Sequence, residues 1–228
     1  MRERLDTVDE IHPDAFRQPE QTPPATAVKP FRFTRNDYQY EVTPLYEYTI
    51  SGLVVRRMDY SWFSIDRSEK IFPLDLCLIW GSNLRYKVHQ AKTIRFSQDC
   101  RFCWVEWREK LPFSLTEVSN NHLLLSQPDV ERTLNRVMIG DQVKLHGKLI
   151  KVNARLIGKG GRYDSEAVTW TSSTTRTDTG PGACEVIYVE DAVVLRTANE
   201  LSRILFRVSC WGMVALALWA FADLFRRF

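Results

Sequence analysis

The chain has 228 residues, with 31 Lys and Arg against 28 Asp and Glu, a formal net charge of +3. At 44% hydrophobic and 26% charged it can bury a core, which excludes a disordered chain, a collagen-like repeat, a small disulfide scaffold and a polytopic membrane protein. So small a net charge leaves no electrostatic footprint for a polyanion, and nucleic acid is not an expected partner.

Residues 1–30 hold Pro13, Pro19, Pro23, Pro24 and Pro30, many charges and scattered apolar positions. Such a stretch buries too little apolar surface to offset its ordering entropy, and it reads as a disordered N-terminal arm. No apolar h-region follows a basic start, so no cleavable signal peptide is expected.

From Phe31 the pattern changes. Tyr38, Tyr40 and Val42, then Tyr46, Tyr48 and Ile50, alternate with polar residues as half-buried strands do. Leu76 to Trp80 is a continuous apolar run ended by Gly81, the pattern of a buried central strand. Thr93–Phe96 and Phe102–Trp107 are two more strand candidates. Ser126 as cap, Pro128 in the first turn and Val130, Leu134, Val137 and Met138 on one stripe predict an amphipathic helix of about a dozen residues ending at Gly140. A strand through Val143, Leu145, Leu149 and Ile150 follows, with Gly147 marking a bulge or bend. After a hairpin loop at Gly158–Gly161, strands over Val168–Thr175 and Cys184–Leu195 complete the domain. Short strands with one helix argue for a mainly β fold over residues 31–198, a small antiparallel OB-like barrel or sandwich.

Residues 199–228 form a different unit. Val208 to Ala222 contains no charged residue, and extension to Ile204 and Phe225 supplies the length of a membrane span if Arg207 snorkels. Trp211, Trp219 and Phe225 suit interfacial anchoring, and Arg226 and Arg227 end the segment among headgroups. The expectation is a single-pass C-terminal anchor in the bacterial inner membrane, contacting lipid. The flanking arginines do not set an orientation; the domain is assigned to the cytoplasm by default, with the periplasm as the alternative.

Catalytic constellations are sparse. Ser119-Asn120-Asn121-His122 is a polar cluster before Leu123, and Arg176 and Asp178 sit in a Thr/Gly-rich turn. Asn121, His122, Arg176 and Asp178 could line a ligand pocket if they converge, or could lock their turns by side-chain-to-backbone bonds. Cys100 and Cys103 form the one CxxC, too few ligands for structural zinc, and no metal or cofactor is expected. In a periplasmic domain Cys100–Cys103 or Cys103–Cys184 could form a disulfide.

Four segments resemble a family of uncharacterised bacterial membrane-associated proteins. They are Asp75-Leu76 through Trp80-Gly81, Ser119 through Leu123, Gly140-Asp141-Gln142-Val143 with Gly147, and Ser172 through Val186. The resemblance covers roughly residues 38–195. That family has no established activity, so no functional residues transfer. It implies a hydrophobic segment near the N-terminus and a domain outside the cytoplasm, whereas this chain carries its apolar segment at the other end. The function expected is that of a non-enzymatic, membrane-anchored accessory or assembly subunit with protein partners. The alternatives are a ligand-binding or enzymatic barrel and an OB-like nucleic-acid binder.

Overall fold

The computed structural model describes residues 5–24, 29–60, 71–99, 101–108, 110–157, 167–180 and 182–226; of Arg207, Ala220 and residues 223–226 only the backbone is described. Cys100, Arg227 and the Gly158–Gly161 loop therefore lie outside the described residues, as do the side chains of Phe225 and Arg226.

The chain runs β1 (Glu20–Thr22), β2 (Phe31–Arg35), β3 (Tyr38–Asp59), β4 (Leu74–Ile79), α1 (Ser82–Arg85), β5 (Ile94–Asp99), β6 (Phe102–Trp107), β7 (Val118–Leu125), α2 (Pro128–Leu134), β8 (Gln142–Leu156), β9 (Val168–Thr171), β10 (Glu185–Arg196) and α3 (Glu200–Arg226). The fold is mainly β. Asn36 and Asp37, both at positive φ, make the tight turn between β2 and β3, where Arg35 pairs with Tyr38.

β3 organises the sheet. Its 22 residues pair with β8 from Tyr38 to Leu53 and with β4 from Leu53 to Asp59. Gly52 stands where the partner changes: a Cβ there would lie 2.8 Å from the Ile79 carbonyl oxygen. β4 then pairs with β7, β7 with β10, and β10 with β8, which returns to β3. Five pairings thus form a cycle. Strand direction cannot alternate all the way round an odd cycle, and β7–β10 is the parallel pair. The sheet is therefore mixed, not antiparallel throughout as the alternation pattern suggested.

Gly147 lies at the predicted irregularity, though the extra residue is on the partner strand. Val189 pairs with Gly147 and Asp191 with His146, so Glu190 bulges out. The strands approach so closely here that a Cβ on Gly147 would meet the Tyr188 carbonyl oxygen at 2.0 Å.

The principal core is made by alternate residues of these five strands, including Ile50, Leu76, Leu123, Leu145 and Ile187, with Val130, Leu134 and Val137 packed on them. α2 is shorter than expected, seven residues, and Gln127 rather than Ser126 stands at its N-cap. Its stripe ends at Val137. Met138 turns out to solvent, because its N–H donates to the buried Asp141 carboxylate at 2.9 Å and the chain leaves the helical path.

The N-terminal arm is not solvated as its composition suggested. Within residues 5–24, Val8 and Ala15 are buried in a second core beside Leu53, Ile79, Leu84 and Val88, and β1 pairs with β3. A few well-placed apolar residues suffice because the domain offers them a preformed apolar face. Prolines serve here as well, since Pro13 opens the 3-10 turn Pro13–Phe16.

Candidate functional site

Asp75 on β4 is directly opposite His122 on β7. Asp75 Oδ2 and His122 Nδ1 are 3.0 Å apart, without linear hydrogen-bond alignment. Arg101, at φ 74° in the β5–β6 turn, donates to the other carboxylate oxygen at 2.8 Å and to the Phe72 carbonyl at 3.2 Å. Its guanidinium lies 3.7 Å from the centre of the Tyr60 ring. The rings of Phe72 and Trp170 pack on His122 at 5.6 and 5.2 Å. All three charged or titratable groups are buried. Removing an isolated carboxylate from water is costly, and here Arg101 offsets that cost. Asn120 extends the fastening by donating to the Arg101 carbonyl at 2.7 Å. The Tyr60 hydroxyl is pushed up by burial and then by the Asp75 charge, so it stays protonated.

A second network lies on the other face of β7. Glu185 of β10 is in register with Asn121 and is fully enclosed. Arg176 donates to Glu185 Oε1 at 2.5 Å, to the Tyr48 hydroxyl at 3.0 Å and to the Ser173 carbonyl at 3.0 Å. Ser173 in turn donates to Asp178 at 2.5 Å, and Ser172 accepts the Val186 N–H at 3.1 Å. Burial, only partly opposed by Arg176, pushes the Glu185 carboxyl up to about 7.

The structure thus joins Arg176 to Asp178 through Ser173 and keeps Asn121 near them through Glu185. His122 is on the opposite face. Strand side chains alternate, so adjacent residues cannot share a pocket. Asn121 donates to Ser119 and the Leu76 carbonyl, toward the principal core, while His122 packs among Phe72 and Trp170.

No family model, curated protein or solved structure matches this chain.

Neither Cys100–Cys103 nor Cys103–Cys184 forms, because Cys103 is bonded to Cys77. The disulfide joins Cys77 of β4 to Cys103 of β6, 26 positions apart in sequence. Cys77 sits mid-strand in the Leu74–Ile79 run, where its apolar neighbours gave it the look of core filler. Cys184 is a free thiol, pushed up to about 12 by burial and by the Glu185 charge, so it has no thiolate to offer as a nucleophile.

Sequence reasoning also missed Asp75, Arg101 and Glu185. Asp75 carried a usable signal: a charge inside a continuously buried strand must have a partner. Arg101 and Glu185 carried none, because long-range pairing selects them.

Glu47, His146 and Glu190 offer ligand atoms within 4.8 Å of one another. The ammonium of Lys148 already bridges Glu47 at 3.2 Å and Glu190 at 2.8 Å, which favours an internal ion-pair cluster over a cation site.

Trp211 and Trp219 are broadly exposed on α3, as are Leu205, Phe206 and Leu216 on its other sides. Glu200–Trp219 is long and apolar enough to cross a membrane, with a mean hydropathy of 1.5 and none of it buried. The helix is fastened at its start. Arg203 donates to both oxygens of the buried Asp141, at 2.8 and 3.0 Å, and the Ala198 N–H joins them at 2.8 Å.

Proposed function

We propose that this chain is a non-enzymatic, membrane-anchored β-domain that acts as an accessory, assembly or interaction subunit of a bacterial membrane or envelope complex. The observation that carries this reading is α3, whose apolar side chains face outward on every side. Water does not tolerate such a helix on a soluble surface, and lipid does. At 27 residues it is about 40 Å long, enough to span with a tilt.

The domain is read as a five-stranded OB-like barrel. The cycle of five pairings supports closure, and α2, between β7 and β8, packs on the enclosed core as an end plug. The inward use of polar groups favours a structural role. Asp75, Arg101, His122, Arg176 and Glu185 are engaged with one another or with backbone, beneath aromatic rings. An acid–base catalyst needs reach to a substrate that such burial denies.

The Cys77–Cys103 disulfide favours the periplasmic side over the cytoplasmic default, since reducing cytosol keeps thiols apart. Extraction in mild detergent followed by affinity purification tests the main reading. A co-purifying membrane or envelope protein at fixed stoichiometry is expected, and recovery of a solitary monomer overturns it.

A further inference from the structure

We infer that α3 is a rigid extension of the β-domain, and that it seats the loop Val137–Gly140 and the turn Leu5–Val8 in the headgroup layer of the bilayer. This rests on reading α3 as the membrane span.

Only Thr197, Ala198 and Asn199 separate β10 from α3. Two of the three are held by the domain. The Ala198 N–H is bound to Asp141 at 2.8 Å, and Asn199 accepts from Thr7 at 3.3 Å while holding a left-handed φ of 52°. Arg196, just before them, pairs with Glu10. Arg203, in the first turn of α3, is held by both oxygens of a carboxylate that is 1% exposed. A flexible tether would let the domain tumble; a helix clamped in its first turn fixes the domain's orientation.

The clamp also fixes its height. Leu201, in the same turn as Arg203, is 77% exposed, so the apolar surface of α3 begins level with the clamp. Asp141 Oδ2 accepts from both Arg203 and the Met138 N–H, so the Met138 backbone lies at that level too. The headgroup layer is roughly 5–7 Å deep on each side of the hydrocarbon. A residue sharing an acceptor atom with the first turn of the span cannot stand clear of it. Met138 is an unbranched, adaptable apolar side chain, 52% exposed, of the kind an interface takes up. On the other flank, a Cβ on Gly140 would lie 2.9 Å from Ala198 and 3.5 Å from Val8, so the Leu5–Val8 turn, the Val137–Gly140 loop and the lead-in to α3 are packed together.

The charges on this face are mixed. Asp6, Asp9 and Glu10 lie together in the chain, and Glu10 pairs with Arg196. The partner is therefore a zwitterionic lipid surface, and seating does not depend on anionic lipid.

The test uses the full chain in phosphatidylcholine nanodiscs, with Cys100→Ala, Cys184→Ala and Cys210→Ala to leave only the native disulfide. An environment-sensitive fluorophore is placed at Met138→Cys, at Leu216→Cys in α3, and at Val168→Cys on β9, which pairs with the far end of β8. Headgroup spin-labelled lipid is expected to quench Met138 by about twofold or more and leave Val168 unchanged, while a deep spin label quenches Leu216. Added phosphatidylserine changes none of this. Arg203→Gln is expected to weaken quenching at Met138 without affecting Leu216. If Leu216 is quenched and Met138 behaves as Val168 does, the seating is wrong and the anchor stands. If Met138 remains quenched in Arg203→Gln, the clamp is not what seats it. If Leu216 is not quenched, the anchor reading falls and the seating with it.

Discussion

Arg101 reaches Asp75 across 26 residues of sequence, two residues away from the point where Cys103 meets Cys77 across the same separation. Residues two apart on a strand share a face. The β5–β6 hairpin is therefore fastened to one face of β4 at two successive positions, once by charge and once by covalent bond. Ile94, Phe96 and Val105 on the hairpin's inner side add apolar contact to the same core. The two fastenings divide the work, and each makes a separate prediction.

Removing the carboxylate leaves Arg101 buried with an uncompensated charge. Asp75→Asn is expected to cost about 3–5 kcal/mol, more than an exposed ion pair would. Urea denaturation reads it as a lower midpoint at similar slope. A change smaller than 1 kcal/mol, of the order of a surface pair, would mean that the pairing is not what stabilises the hairpin.

Opening the disulfide frees a loop of 26 residues in the unfolded chain. The Cys77→Ala/Cys103→Ala variant is expected to lose about 3 kcal/mol, mostly through the entropy regained by that chain. Reductant should shift the wild-type midpoint toward that of the variant and leave the variant itself unmoved. A wild type indifferent to reductant contradicts the assignment.

Glu185 predicts a pH dependence. Burial raises its carboxyl from 4.5 to about 7, so the folded protein keeps a proton that the unfolded chain releases. The stabilisation from that proton is complete below about 4.5 and is lost as pH rises through about 7. Relative to Glu185→Gln, the wild type should therefore gain stability on acidification across this window, by up to roughly 3 kcal/mol. His89 acts with the opposite sign. Burial lowers its imidazole below 6.5, so its contribution is present above 6.5 and falls away as pH drops. Denaturation of both proteins from pH 4 to pH 8 isolates the Glu185 part; a constant difference between them refutes it.

Gly147→Ala places a methyl 2.0 Å from the Tyr188 carbonyl oxygen, and backbone cannot step aside as a flexible side chain would. The strands must separate or the bulge at Glu190 must move. The expected loss is at least 1–3 kcal/mol, seen as a fall in Tm or in soluble yield. Gly180→Ala is the contrasting control: no atom lies within 4 Å, and only its φ of 89° opposes the change.

Much of the sheet was legible from local pattern. Leu76 to Trp80 announced β4, the alternation from Tyr38 to Ile50 announced β3, and Gly147 marked a real irregularity. The helix after Ser126 was legible in place but not in length, because Asp141, outside the periodic stretch, bends the chain at Met138. The candidate site was half legible. Arg176 and Asp178 do belong to one network. The adjacent pair Asn121 and His122 is divided by strand alternation, which the polar run Ser119–His122 concealed.

By itself the sequence determined the mainly β character, the amphipathic α2 and the apolar α3, because each depends on the spacing of residues along one element. The tertiary structure alone decided which elements meet. It closed the cycle from β3 to β8, forced β7 and β10 parallel, and bonded Cys77 rather than Cys184 to Cys103. It also laid residues 5–24 on a surface that their composition could not foresee. Periodicity is a local property with a fixed repeat. Pairing joins residues scores of positions apart, such as Tyr38 and Leu156, and is selected by the summed burial of the whole domain rather than by any segment within it.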